Sequence, residues 1–466
     1  QRLPSERTGV TMISALSNPT KGPAFAASRN SCKLCAPLGA CLAFRGFEGA
    51  VPFLHGSQGC ATYIRRYTIS HFKEPLDIAS SSFGEAAAVF GGRENLRVGL
   101  ENVVRQYAPQ MIGLATTCLA ETIGEDVPML VRQVMGEMRG RVCPVVHVAT
   151  PSFSGTHAEG FRAAVRATVD VLAQPGPRHA AVNLMPGIIS PADLRYLKEI
   201  VADFGLESIL LPDYSETLDG QAWDEYQRMP PGGTPLDAVR RSGAAQASIE
   251  LGAWGDPERS AAGLLSARFG VQHIPLPAPI GVTHSDRFFA ALERLSGRRT
   301  PQKHRDERGR LIDSYVDAHK YVFGKKAVVY GEPDLVLGLV GLLVEVGMAP
   351  AVCATGTRGV GLRQQIVAMA PELDSACILE GVDFVEIEQQ ARAAHCDLIV
   401  GSSKGYGMAR RLGVPLVRVG FPIHDRIDGP RLLHIGYRGA QQLFDRMANA
   451  LIEQSQDNSP IGYSYM

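Results

Sequence analysis

One local pattern recurs along most of this chain: a short apolar run ends in a turn of glycine, proline, serine or threonine, and a helix-like stretch follows. It is read in "QMIGLATTC" and "RVCPVVHVATPSF", in "HAAVNLMPG", "SILLPDYS", "ASIELG" and "VQHIPLP", and in "KAVVYGEPD", "APAVCATGT", "CDLIVGSSKGYG" and "VPLVRVGFP". Strands separated by helical patterns such as "SPADLRYLKEIVADFG" predict parallel sheets with helices on their faces. A chain of 466 residues is too long for one core, so three α/β units are expected. The strand groups divide it into a polar arm over 1–30, an α/β domain over 31–175, a second over 176–300, and a connecting helix with a third domain over 301–466. "PGPRH" at 175–179 reads as a linker, and "GRRTPQKHRDERGRLIDSYVDAHKYVFGKK" as a long charged helix between the second and third domains. "GAQQLFDRMANALIEQ" reads as a closing helix that buries Leu443, Met447 and Leu451.

Charge narrows the partners. Forty-seven basic residues balance forty-seven acidic ones, which argues against nucleic acid or a polybasic membrane contact. The most apolar run, "DLVLGLVGLLVEVGMAPAVCA", carries Asp334 and Glu345 and is broken by Gly347 and Pro350, so it fails as a membrane span and reads as a buried helix turning into a strand. No charged-then-apolar leader opens the sequence, and a cytoplasmic protein is expected.

Nine cysteines at irregular spacing do not resemble the disulfide framework of a small secreted domain. Cys32, Cys35, Cys41, Cys60, Cys118 and Cys143 come first, and none follows until Cys353. Any thiolate metal site therefore belongs to the first domain. The Cys32–Cys35 pair suggests a redox dithiol or half a zinc site, but the second zinc pair is missing and the pair precedes the first strand. Burial as small apolar side chains is the plainer alternative for all six. An iron–sulfur site explains more: Cys60 follows "HGSQG", Cys35 precedes "APLGA", and Cys118 closes a strand at "ATTC", where open α/β sheets bind ligands. Three thiolates are too few for a complete four-iron site, so a partner subunit has to complete it.

Through "CAPLGA", "HGSQGCATYIRRY", "HFKEP", "SSFGEAAAVFGG", "TTCLAETIGED", "TPSFSGTH", "GEPDLVLGLV", "GSSKGYG" and "VRVGFPIHDR" the chain resembles the β-type subunit of nitrogenase component 1 and its relatives, over nearly its whole length. The resemblance implies three doubly wound, Rossmann-like α/β domains in an α2β2 assembly with an α-type partner. It also implies that Cys35, Cys60 and Cys118 are the β-side ligands of a bridging interfacial cluster, of the 8Fe-7S P-cluster type or alternatively 4Fe-4S. Ser152 matches a serine that binds one iron when that cluster is oxidised; helix N-capping is its structural alternative. Tyr63 matches a place on the electron path, with a core tyrosine as the alternative. Phe90 and the glycines of "VFGG" match the docking surface for an ATP-dependent homodimeric iron protein, their plain role being a turn. Cys32 and Cys41 match no ligand and read as packing residues. The substrate-reducing cofactor of such assemblies sits in the α-type partner, so no catalytic residue is expected here.

Other candidates read as structural. His55 reads as a satisfied loop histidine, "GTRGVG" at 356–361 as an ordinary βα turn, and His424 with Asp425 as a salt-bridged corner. No Walker pattern appears, so ATP hydrolysis by this chain is not expected. Within the family, three retained thiolates point to a reductase, since scaffold chains of the well-known type keep only the cysteine of "GSQGC". A short N-terminal arm and the compact "DYSETLDGQAWDEYQRMPPGGTPLDA" favour methylthio-alkane reductase, which cleaves carbon–sulfur bonds. The scaffold that matures the nitrogenase iron–molybdenum cofactor is the second reading and nitrogenase itself the third.

Overall fold

The computed structural model describes residues 30–138, 143–225, 227–252 and 254–461. The polar arm expected over 1–30 lies, but for Asn30, outside them. Three parallel sheets follow one another along the chain. The first contains β1 (Ala50–His55), β2 (Ala79–Ser80), β3 (Met111–Thr116) and β4 (Val145–Val148), in spatial order β2-β1-β3-β4. The second repeats that order with β5 (His179–Met185), β6 (Ser208–Leu210), β7 (Ala245–Leu251) and β8 (Gln272–Leu276), arranged β6-β5-β7-β8. The third has β9 (Lys326–Gly331), β10 (Ala349–Thr355), β11 (Cys377–Glu380), β12 (Leu398–Gly401) and β13 (Leu416–Arg418), arranged β11-β10-β9-β12-β13. Each order reverses direction once, which is the doubly wound arrangement. The reversal opens a crevice at the carboxyl ends of the two strands beside it: β1 and β3, β5 and β7, β9 and β12.

The apolar run at 334–354 forms the buried helix Pro333–Glu345 and then β10. The charged segment forms the helix Gln302–Val322, packed along the closing helix Gly436–Asp457. Tyr315 meets Phe444 edge-on at 4.8 Å, and Glu307 takes hydrogen bonds from Tyr196 and Arg438 at 2.7 and 2.6 Å.

The stretch from Cys35 to Cys60, where the sequence pattern named no strand or helix, is regular. It holds the helix Ala36–Arg45, buried on every side, and the fully buried strand β1. Helix Ala36–Arg45 crosses helix His157–Leu172 in backbone contact. A Cβ built on Gly39 would lie 1.8 Å from the His157 carbonyl oxygen, and one on Gly160 2.0 Å from that of Ala36. Gly39 and Gly160 are there because two helices touch.

Candidate functional site

The three cysteines singled out in the sequence stand at the starts of three helices. Cys35 is the N-cap residue of Ala36–Arg45, Cys60 lies in the first turn of Gln58–Phe72, and Cys118 opens the short helix Cys118–Thr122 rather than ending β3. Free amide N–H groups and the positive end of the helix dipole favour negative charge there. Cys60 and Cys118 follow β1 and β3, the strands on either side of the first sheet's crevice.

Threonines hold the loops after these strands together. The Thr117 amide donates to the His55 carbonyl at 3.0 Å, and the Ser57 amide to Thr117 Oγ1 at 3.4 Å. The Thr150 amide donates to Thr116 Oγ1 at 2.9 Å, while Thr150 Oγ1 donates to the Thr116 carbonyl at 2.6 Å. The loops after β1, β3 and β4 thus form one sewn rim. Sequence reading missed these residues; their only signal is the paired threonine of "ATTC" ahead of the thiol.

Ser152 joins the cysteines through its backbone. Its amide donates to Cys118 Sγ at 3.3 Å, and its own Oγ is buried with no partner among the described residues. The helix cap suggested for it belongs to Thr156, whose side chain and that of Glu159 form a reciprocal capping box. A buried hydroxyl without a partner costs roughly 1–3 kcal/mol, and N-capping does not account for this one.

The thiols sense one another. Burial pushes Cys35 up to about 11, with Cys60 and Cys118 adding to the shift against the Leu38 amide. Burial and then Cys118 raise Cys60 as well. Raised in this way, Cys35 and Cys60 are neutral near pH 7, and a bound cation would be what deprotonates them. No set of three or more histidine, cysteine, aspartate or glutamate side chains among the described residues closes round a single metal ion. The donor set fits a polynuclear group with widely spaced irons better than it fits one ion.

The remaining candidates fall around this niche or away from it. Cys32 and Cys41 are buried, and burial raises both thiols, Cys32 to about 12. Tyr63 lies one turn after Cys60, is 50% exposed and packs its ring 4.7 Å from Tyr67, so it is not a core tyrosine. Phe153, beside Ser152, is also exposed. Phe90 ends the helix Glu85–Phe90, is 88% exposed, and precedes Gly91 at φ +91°. His55 is the last residue of β1, not a loop residue; Glu125 holds its Nε2 at 2.8 Å and its Nδ1 has no partner among the described residues. Asp425 is gripped by Arg418 at 2.7 and 3.0 Å, and His424 bonds Ser70. Residues 356–361 form the turn between β10 and the helix Leu362–Met369. No helix among the described residues is long and apolar enough to cross a membrane.

Fold and niche together define a class: a three-sheet α/β chain with thiols gathered at the crevice of its first sheet, open to the surface. The chain belongs to the nitrogenase component 1 type oxidoreductases, whose family profile matches residues 35–452, and it is a β-type member. It is 35% identical over 432 residues to the nitrogenase molybdenum-iron protein beta chain of Clostridium pasteurianum, covering 91% of this chain and 93% of that one. It is 34% identical over 445 residues to the nitrogenase iron-molybdenum cofactor biosynthesis protein NifN of Bradyrhizobium diazoefficiens, covering 94% and 92%. Among solved structures, nitrogenase Cp1 at pH 6.5 superposes with a TM-score of 0.90 at 33% identity, over 95% of this chain and 99% of that one.

Proposed function

We propose that this chain is the electron-relay β-type subunit of a nitrogenase-like reductase. Cys35, Cys60, Cys118 and Ser152 hold its half of an 8Fe-7S, P-cluster-type group at the contact with an α-type partner, in an α2β2 assembly. The observation that carries this reading is the unpartnered, buried Ser152 hydroxyl in a residue whose amide already meets Cys118 Sγ. A four-iron cluster has no need of a fourth donor from this side. When bound, such a group stores electrons and passes them between a homodimeric ATP-dependent iron protein and the partner's cofactor. The residues of this chain ligate, orient and shield. Helix starts favour the thiolates, the threonine rim fixes the loops, and exposed Tyr63 and Phe153 border the niche on the side left for the partner. Exposed Val89 and Phe90 form a separate apolar surface, suited to the iron protein.

For the reaction itself the proposal is reductive cleavage of the carbon–sulfur bond of methylthio-alkanes, favoured by the compact segment at 213–238. A second reading follows from the similarity to the biosynthesis protein of Bradyrhizobium: a scaffold for maturing the iron–molybdenum cofactor, with a 4Fe-4S cluster. Dinitrogen reduction stands third, on the similarity to the Clostridium beta chain. The deciding experiment uses the anaerobically purified complex with the iron protein and ATP. Release of methane, ethane or ethene from methylthio-alkanes supports the first reading. No turnover, together with transfer of a bound precursor to an apo-nitrogenase, overturns it in favour of the scaffold.

A further inference from the structure

Away from the cysteines, two small cavities of about 40 Å³ each lie where the three sheets meet, and Asp334 and Ile188 line both. The first is bounded by residues at the carboxyl ends of β5 and β7 and after β9, including Met185, Glu250 and Glu332. The second adds His71, Asp193, Phe421 and His434. Such strand ends are where α/β sheets bind small molecules.

The polar groups of this junction are unevenly satisfied. Glu250 is held by Arg162 at 2.8 Å and by His273 at 2.9 Å, and Glu332 is paired with His157. Asp193 accepts from the His434 and Ile435 amides at 2.8 and 3.2 Å and faces His434 Nδ1 at 3.0 Å. Because a carboxylate only accepts, that contact places a proton on Nδ1 and leaves Nε2 to find its own partner. Nε2 has no partner among the described residues, although His434 is only 6% exposed. Asp334 has no cation paired with it among the described residues, and its one hydrogen bond from another residue comes from the Leu335 amide at 2.9 Å. Burial and the neighbouring Glu332 raise its carboxyl to about 7. Its position depends on two left-handed glycines: a Cβ on Gly187 would lie 2.6 Å from Asp334 Oδ2, and one on Gly252 2.3 Å from Asp334 Cβ.

We propose that this junction binds a small ammonium cation, either ammonium itself or a short primary amine, with the Asp334 carboxylate as counter-ion and the unpartnered His434 Nε2 as its hydrogen-bond acceptor. The volume admits only a few heavy atoms. Phe72, Phe421 and Leu335 offer an apolar wall to a methyl group. The charges facing Asp334 favour a cation: Glu332 and Asp193 are acids, Tyr214 and His71 are neutral, and Arg162 is already bound to Glu250. The proposal is independent of the iron–sulfur reading.

Isothermal titration of the purified complex with ammonium, methylammonium and potassium chlorides, in two buffers of different ionisation enthalpy near pH 7, tests it. Saturable binding of the two nitrogen cations is expected, with proton release as Asp334 ionises and at least tenfold weaker binding of potassium. Asp334→Asn should weaken methylammonium at least tenfold and abolish the proton release. Ile188→Phe, which fills the wall shared by both cavities without altering a charge, should also abolish binding in protein that still melts cooperatively. Equal affinity for potassium, no saturable binding in the wild type, or unchanged binding in either folded variant overturns the proposal.

Discussion

At the scale of single residues, the cysteines differ by their surroundings rather than by their chemistry. Cys60 is half-buried in the first turn of a helix at an open niche, whereas Cys32 packs against Tyr330, Val382 and Phe384 with no route to that niche evident from its contacts. Cys60→Ala should therefore remove most of the iron and all electron transfer from the complex while the chain still folds and melts cooperatively. Cys32→Ala should leave iron content intact and cost about 1–2 kcal/mol as a small core truncation. Metal analysis and thermal denaturation of both variants check this, and equal iron loss would sink the ligand assignment. The candidate thiols were visible in the sequence because cysteine beside glycine at strand ends carries a chemical meaning. The threonines that align them were not, because a threonine near a strand end has many uses and only tertiary placement shows which one applies.

His71 gives a residue-scale prediction of a different kind. Burial pushes its imidazole down to about 3, and its Nδ1 accepts the Ile423 amide at 2.9 Å. The folded value lies below the unfolded one of about 6.5, so the stabilisation is complete above that pH and is lost as pH falls toward 3. The unfolded chain takes up the proton over that window while the folded chain does not. Stability should fall by about 1.4 kcal/mol per pH unit from this group between pH 6 and 4. His147 and His284, each lowered to about 4 by burial, steepen the fall. Urea denaturation of wild type and His71→Gln across that range should show a shallower slope in the variant.

At the scale of elements, the strands that could be read were those with long apolar runs ahead of a turn, such as β5, β7, β9 and β10. β2 and β11 escaped notice because they are two and four residues long and only partly buried. β1 escaped because Pro52 and the glycines around it mimic a loop, yet all six of its residues are buried. Helix Ala36–Arg45 was hidden for the same reason: its Gly39 lowers helix propensity in exchange for backbone contact with the second helix. That contact carries a prediction. Gly39→Ala puts a methyl group into the His157 carbonyl, and the helices have to separate. A loss of at least 1–3 kcal/mol is expected from overpacking. Because Cys35 caps this helix and Ser152 lies just before the other, iron content should fall with stability, unlike in an exposed control such as Gly136→Ala, where nothing lies within 4 Å.

At the scale of the whole molecule, the proposed cluster niche would be half of a shared site. Three half-buried thiols and one buried hydroxyl stand at the first sheet's crevice, two of the thiols are raised above their ordinary values, and the rim beside them exposes Tyr63 and Phe153. A cluster held from one side would leave several irons open to water and to exchange, so the free energy that deprotonates the thiols would be recovered only when a second subunit supplies the missing ligands. The chain expressed alone should accordingly contain almost no iron, and the complex with its α-type partner about eight irons per interface. Mild oxidation should then separate wild type from Ser152→Ala: with the proposed cluster in place the wild-type hydroxyl would give up its proton to bind iron, and the variant has no oxygen to offer. Metal analysis fixes the stoichiometry, and electron paramagnetic resonance of both proteins before and after oxidation reads the ligand change. A stable, stoichiometric cluster in the lone chain would contradict the shared site. A four-iron signal that Ser152→Ala leaves untouched would remove the case for a reductase and turn the niche toward the scaffold reading.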